Sequence, residues 1–195
     1  MNRWEAIELF KDNGAITRGH FRLSSGLHSD TYVQSVRVLQ HPRLGQRLGD
    51  ELASMFTAED IDVVIAPALG GVVIGYLVAL ALGRRMVFAE RRDGVFALRR
   101  GQELVKGERA LLVEDVITTG GSVEEVASLV RACGAEPVAV AALVERGPSN
   151  VLTIPKKVLV ELEIQSWPPE KCPLCREGTE LDSPGSRYLK PGSGE

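Results

Sequence analysis

The sequence predicts an α/β fold: an open, mostly parallel sheet flanked by helices. Three observations predict it. Short continuous apolar runs at 62–66, 111–113 and 138–144 suit strands buried on both faces. Segments with helical spacing, at 42–56, 72–82 and 123–133, alternate with strands. Glycine-rich or charged loops follow the strands at Pro67, Glu90, Glu114 and Glu145, so all four could line one cleft beyond the strand C-termini.

In chain order, 3–11 reads as an amphipathic helix with Trp4, Ile7 and Phe10 on one face, ended by Asn13-Gly14. Residues 16–23 alternate loosely as a strand, and Ser24-Ser25-Gly26 forms a turn. Residues 30–39 are rich in strand formers. Pro42 opens the next helix, where the first turn tolerates proline. The apolar helix at 72–82 stops at Gly83 and is too short to span a bilayer. A strand is expected at 86–89, then a long charged loop from Glu90 to Gly107. A late strand is expected at 157–164, and the tail from 166 to 195 is expected to be loosely structured.

The 195 residues suit one domain with a sizeable core. A hydrophobic fraction of 44% and a net charge of −3 give no sign of a nucleic-acid or membrane partner. The N-terminus has no signal-peptide pattern, and three cysteines make no disulfide framework, so a cytoplasmic setting is expected.

The most informative stretch is 110–123, ALLVEDVITTGGSV. An apolar strand runs into Glu114 and Asp115, then Val116, Ile117, Thr118, Thr119, Gly120, Gly121 and Ser122, then a helix. Unpaired N–H groups at a helix N-terminus bind phosphate, glycines let the backbone approach it, and hydroxyls add donors. Carboxylates accept hydrogen bonds from sugar hydroxyls. A phosphate site beside a diol site describes a ribose 5-phosphate. The loop has neither the Gly-Lys-Ser/Thr of a nucleoside triphosphatase nor GxGxxG. An ordinary strand-to-helix turn is the plain alternative.

This stretch resembles the phosphoribosyl diphosphate motif of the type I phosphoribosyltransferases. The resemblance implies that Glu114 and Asp115 hold the ribose hydroxyls and that Thr118 to Ser122 hold the 5-phosphate. Phe21-Arg22-Leu23-Ser24-Ser25-Gly26 resembles the Phe-x-Leu-x-Ser-Gly signature of the orotate phosphoribosyltransferases, with Tyr32 near the base and Ser24 in place of a lysine. Arg91-Arg92 matches the basic pair of that family, and Arg92 is expected to act in catalysis with Glu114 and Asp115. Arg99 or Arg100 stands in for the closing loop's usual Lys and His. Arg146, with Thr118 alongside, matches the orotate site. Pro67-Ala68-Leu69-Gly70-Gly71 matches the diphosphate loop, with Gly70 where orotate enzymes often carry lysine.

The resemblance therefore implies one phosphoribosyltransferase domain over 1–165, with a small N-terminal hood built by about 1–40 and the late strand. It implies that phosphoribosyl diphosphate and orotate react to orotidine 5′-phosphate and diphosphate in de novo UMP synthesis. Mg²⁺ is expected on the diphosphate, with no metal held by protein side chains. A homodimer sharing the arginine loop is expected. A purine phosphoribosyltransferase and a non-catalytic regulator that senses phosphoribosyl diphosphate are the alternatives. Cys172-Pro173-Leu174-Cys175 has the spacing of half a zinc site, with no second half close in sequence.

Overall fold

A computed structural model describes residues 3–23, 25–147 and 151–184. Ser24, the departure noted in the base signature, lies outside the described residues, as do 185–195 of the tail.

The elements run α1 (Arg3–Asp12), β1 (Ile16–Arg22), β2 (His28–Val33), α2 (Val36–Leu39), α3 (Pro42–Ala53), β3 (Val63–Pro67), α4 (Gly70–Leu82), β4 (Arg85–Arg92) and β5 (Val95–Leu98). They continue with β6 (Arg109–Ile117), α5 (Gly121–Ala132), β7 (Glu136–Arg146), β8 (Lys156–Leu162), β9 (Ser166–Trp167) and α6 (Pro173–Arg176). Six strands form the main sheet in the order β5-β4-β3-β6-β7-β8. All neighbours in it are parallel except β4 and β5. A second, antiparallel sheet has the order β1-β2-β9. The expected open, mostly parallel sheet flanked by helices is what forms.

The parallel strands read as unbroken apolar runs because both faces are covered. Val64, Leu111 and Val113 turn to a core built with α1, α3 and α4. Their neighbours Val63, Ile65 and Leu112 turn to a second core with Val123, Val126 and Val130 of α5. Asp62 ties the feet of β3 and β6 together. It accepts the Arg109 backbone N–H at 2.9 Å and two guanidinium bonds at 3.0 Å. These bonds hold its carboxyl down to about 2.

After β3 the chain turns one way to β4, and β6 then enters on β3's other side. The strand order reverses there, and such a switch point opens a crevice beyond the strand ends. Helix α4 packs very close to this point. A Cβ at Gly71 would stand 2.8 Å from the Val113 carbonyl oxygen, and one at Gly75 would stand 3.0 Å from the Ala66 Cβ.

Three expectations change. Residues 36–39 form a helical turn rather than strand, with the Leu39 and Gln40 N–H groups bonded four residues back. The first half of the expected charged loop from Glu90 to Gly107 is a hairpin, and the rest is irregular. β4 runs on to Arg92, which pairs with Val95 across a two-residue Asp93-Gly94 turn. Both turn residues have positive φ, +50° and +85°, as a type I′ hairpin requires. Third, residues 166–184 of the tail are not loose: β9 joins β2, Asp182 bridges Phe21, and Cys172 is fully buried.

Candidate active site

The site is built from the tip of β6 upward. Glu114 is buried against the start of α4, so a Cβ at Gly71 would lie 3.3 Å from its Oε1. Burial first, and the neighbouring Asp115 charge second, push its carboxyl well above the usual range. The Asp115 N–H donates to Glu114 Oε1 at 3.1 Å. Asp115 Oδ2 accepts a short hydrogen bond from the Ser35 hydroxyl. Its Oδ1 would stand 2.6 Å from a Cβ at Gly70. Gly70 therefore brings only backbone to the acidic tip, and any side chain there has to move a carboxylate that Ser35 holds.

The chain then turns into α5 through Gly120, whose φ is +86°. A Cβ there would come 2.6 Å from Leu152, so this position is closed to side chains twice over. Gly120 has no side chain to cap α5, so its first amides have no intrahelical partners, and the Gly121 N–H makes only a long 3.4 Å bond to Thr119 Oγ1. Thr118, Thr119, Gly120, Gly121 and Ser122 line a cleft of about 600 Å³ with Glu114, Val116 and Ile117 at its floor. The positive end of the helix and its amides without intrahelical partners suit this cleft to a phosphate.

Arg91 stands at the mouth of the same cleft. Its guanidinium binds both Glu125 oxygens, at 2.8 and 3.0 Å, and lies 4.1 Å from the centre of the Phe96 ring. Both partners are partly exposed, so the pair contributes only ~0–1 kcal/mol and a phosphate can compete for the guanidinium. Arg92, one residue on, falls on the opposite face of β4. It is 70% exposed beside Asp93 and is not brought to this cleft. Arg99 and Arg100 both pair with Glu90, Arg100 Nε at 2.6 Å and Arg99 Nη1 at 3.3 Å.

On the other side, Arg146 ends β7 half-buried. Burial lowers its pKa, and only the Tyr32 phenol opposes that. Burial raises the Tyr32 pKa, with Arg146 opposing it and the Asp115 charge adding to it. Phe21 packs on Tyr32 with ring centres 5.5 Å apart. Among the described residues no carboxylate pairs with the Arg146 guanidinium. The neighbouring Glu145 pairs with Lys156 instead. The turn after β1 brings Ser25 to the cleft, held by bonds from Gly26 N–H to Leu23 O and from Leu23 N–H to Leu27 O. The fold thus gathers an uncapped helix start, an acidic pair and a cation that, among the described residues, has no carboxylate partner and lies near Tyr32. Ser35 and Glu125 belong to this assembly and carry no motif in the sequence. Ser35 lies in an unremarkable Gln-Ser-Val, and Glu125 is one of two glutamates on a helix.

Residues 35–170 match the phosphoribosyl transferase domain family. The orotate phosphoribosyltransferase of Caldicellulosiruptor bescii is 50% identical over 188 residues, 96% of this chain and 99% of that protein. The chain belongs to the orotate phosphoribosyltransferase family. The orotate phosphoribosyltransferase of Caldanaerobacter subterraneus is 47% identical over 97% of this chain and its own full length. A crystal structure of the Mycobacterium tuberculosis orotate phosphoribosyltransferase in complex with inorganic phosphate superposes with a TM-score of 0.64 at 29% identity. It covers 82% of this chain and 95% of that one. Among the described residues no helix is long and apolar enough to cross a membrane.

Proposed function

We propose that this chain transfers the 5-phosphoribosyl group from phosphoribosyl diphosphate to orotate, giving orotidine 5′-phosphate and diphosphate, and that the residues divide the work as follows. The observation that carries the choice of base is Arg146. It is a half-buried guanidinium with no carboxylate partner among the described residues, near Tyr32, on which Phe21 packs. A planar anion with a carboxylate and carbonyl oxygens suits a guanidinium fork. A neutral purine would leave that charge buried without a partner.

The 5-phosphate takes the N–H groups and hydroxyls of Thr118 to Ser122, with Val116 and Ile117 beneath. Glu114 and Asp115 take the ribose hydroxyls, Asp115 being aimed by Ser35. Arg91 exchanges Glu125 for a phosphate oxygen. The backbone at Gly70 and Gly71 meets the diphosphate, and the guanidinium of Arg92 reaches the diphosphate of a neighbouring subunit. The ribose becomes oxocarbenium-like as the diphosphate leaves, so a site whose charges are already in place lowers the barrier. Mg²⁺ would be carried by the hard oxygens of the diphosphate, beside the acidic tip of β6. The ion supplies charge neutralisation on the leaving group when bound. No protein nucleophile takes part.

The arginine loop is shared in a homodimer in this reading. Arg92 faces outward, where it reaches a neighbouring cleft more readily than its own. Helix α4 also leaves Leu69, Val73, Tyr76 and Leu80 exposed, beside an apolar groove of about 430 Å³ that includes Met86 and Phe88. Tyr76→Asp is expected to sediment as a monomer and to lose most turnover while its melting curve stays cooperative. A dimer with normal turnover would remove this face from the interface. A cytoplasmic setting goes with the three free thiols.

The assignment is tested by diphosphate release with orotate, adenine, hypoxanthine and uracil offered separately. Orotate alone is expected to support turnover. Turnover with a purine and none with orotate would overturn the base assignment. Tight phosphoribosyl diphosphate binding with no turnover on any base would favour a sensing protein.

A further inference from the structure

The tail and the small sheet bring together four side chains that the reaction does not use. His20 comes from β1, His28 from β2, and Cys172 and Cys175 from the head and body of α6. One ligand atom from each lies within 4.8 Å of all the others. His20 Nε2 is 2.9 Å from His28 Nδ1, 3.5 Å from Cys172 Sγ and 3.6 Å from Cys175 Sγ. Cys175 Sγ is 3.2 Å from His28 Nδ1. Tetrahedral zinc, with Zn–N of about 2.0–2.1 Å and Zn–S of about 2.3 Å, separates its ligands by roughly 3.3–3.8 Å. The two His20–sulfur distances fall in that range, and the His28–Cys175 and His20–His28 distances are 0.1 and 0.4 Å shorter than its lower end.

The surroundings are those of a metal site. His20 Nδ1 lies 2.8 Å from the Thr179 carbonyl oxygen, which can only accept. The Nδ1–H therefore donates to it, and the Nε2 lone pair points into the cluster, as an outer-shell carbonyl fixes a metal-binding histidine. Thr179 is itself anchored by its N–H to the Leu174 carbonyl, between the two cysteines. His20 and His28 are diagonal neighbours across the hairpin, since His28 pairs with Arg22. His20, His28 and Cys172 are buried, and Cys175 reaches the surface and leaves an entry path.

We propose that His20, His28, Cys172 and Cys175 bind one Zn²⁺ in a closed structural site that fastens the 166–184 segment to the β1–β2 sheet. This departs from the expectation that no side chain of the chain holds a metal. It does not depend on the identity of the transferred base. Four protein ligands leave no open position, so the ion is structural. Its effect reaches the base side through the backbone. Asp182 N–H donates to the His20 carbonyl and Arg22 N–H to the Asp182 carbonyl, both at 2.8 Å, just ahead of the turn that carries Ser25.

Metal analysis of the full chain, purified reduced with zinc supplied during expression, tests this directly. One zinc per chain is expected. A chelator lowers the melting temperature by roughly 10 °C. Cobalt then gives tetrahedral bands with thiolate charge transfer, which zinc abolishes. Cys172→Ser/Cys175→Ser is expected to lose the zinc. Should that variant not fold, the parent's metal content and cobalt spectrum decide alone. A parent with substoichiometric zinc, no cobalt charge-transfer band and a melting curve indifferent to chelator would leave these residues as a hydrogen-bonded packing cluster and overturn the proposal. Zinc retained in full by the double variant would place the ion elsewhere and overturn it too.

Discussion

Asp115→Asn lowers kcat/KM by roughly a hundredfold or more, with a melting temperature close to that of the parent. Each hydrogen bond between a sugar hydroxyl and a charged acceptor contributes about 1.5–3 kcal/mol, and about 1.4 kcal/mol is a factor of ten. The amide keeps an oxygen for the Ser35 hydroxyl, so the local structure holds while the charge at the tip of β6 is gone. Glu114→Gln shows the opposite balance: activity falls similarly, and stability rises. Burial and the Asp115 charge raise the Glu114 carboxyl well above its ordinary value in the folded chain. Between the unfolded and folded values the folded state binds the extra proton, so stability drops as pH rises through that window. Glutamine has nothing to ionise. The melting temperature of Glu114→Gln should exceed that of the parent by a margin that grows from pH 4 upward, in ligand-free protein. A constant margin, or a lower melting temperature throughout, would mean that Glu114 is not held protonated by its site. Near-normal turnover in Asp115→Asn would remove that residue from the chemistry.

The parts of this site written in consecutive residues were legible in the sequence. The apolar run at 111–113 needs both faces covered, and that fixed it as an inner parallel strand before any contact was known. The acidic pair and the Thr-Gly loop follow without a break, so one local stretch described the cradle. The parts assembled across the fold were not legible. Ser35 meets Asp115 from 80 residues away and has no pattern of its own. The hairpin after Glu90 has its turn signal, Asp93-Gly94, set among six charged residues between 90 and 100, a density that also suits a solvated loop. Val36 and Val38 suggested a strand by type, yet the Leu39 and Gln40 N–H groups close helical bonds to Ser35 and Val36. The CxxC pair looked like half a site because its other half lies in a hairpin 144 residues earlier. Sequence spacing cannot tell which face of that hairpin the tail will cover.

Arg146→Ala weakens orotate binding by roughly ten- to a hundredfold and leaves phosphoribosyl diphosphate binding nearly unchanged. The range follows from about 1.5–3 kcal/mol for a charge-assisted contact, at about 1.4 kcal/mol per decade. The selectivity follows from position. Arg146 ends β7 beside Tyr32, whereas the phosphate cradle belongs to the start of α5 and the acidic pair to β6. Removing a half-buried cation that has no carboxylate among the described residues breaks no ion pair there, so the melting temperature should not fall. Arg146→Lys restores only part of the affinity. An ammonium keeps the charge but offers no planar fork to a carboxylate or a carbonyl pair. Titrating each ligand separately against both variants reads all of this. Equal losses for the two ligands would give Arg146 a general structural role. Unchanged orotate affinity would take the base away from Arg146, and with it the observation on which the choice of orotate over a purine rests.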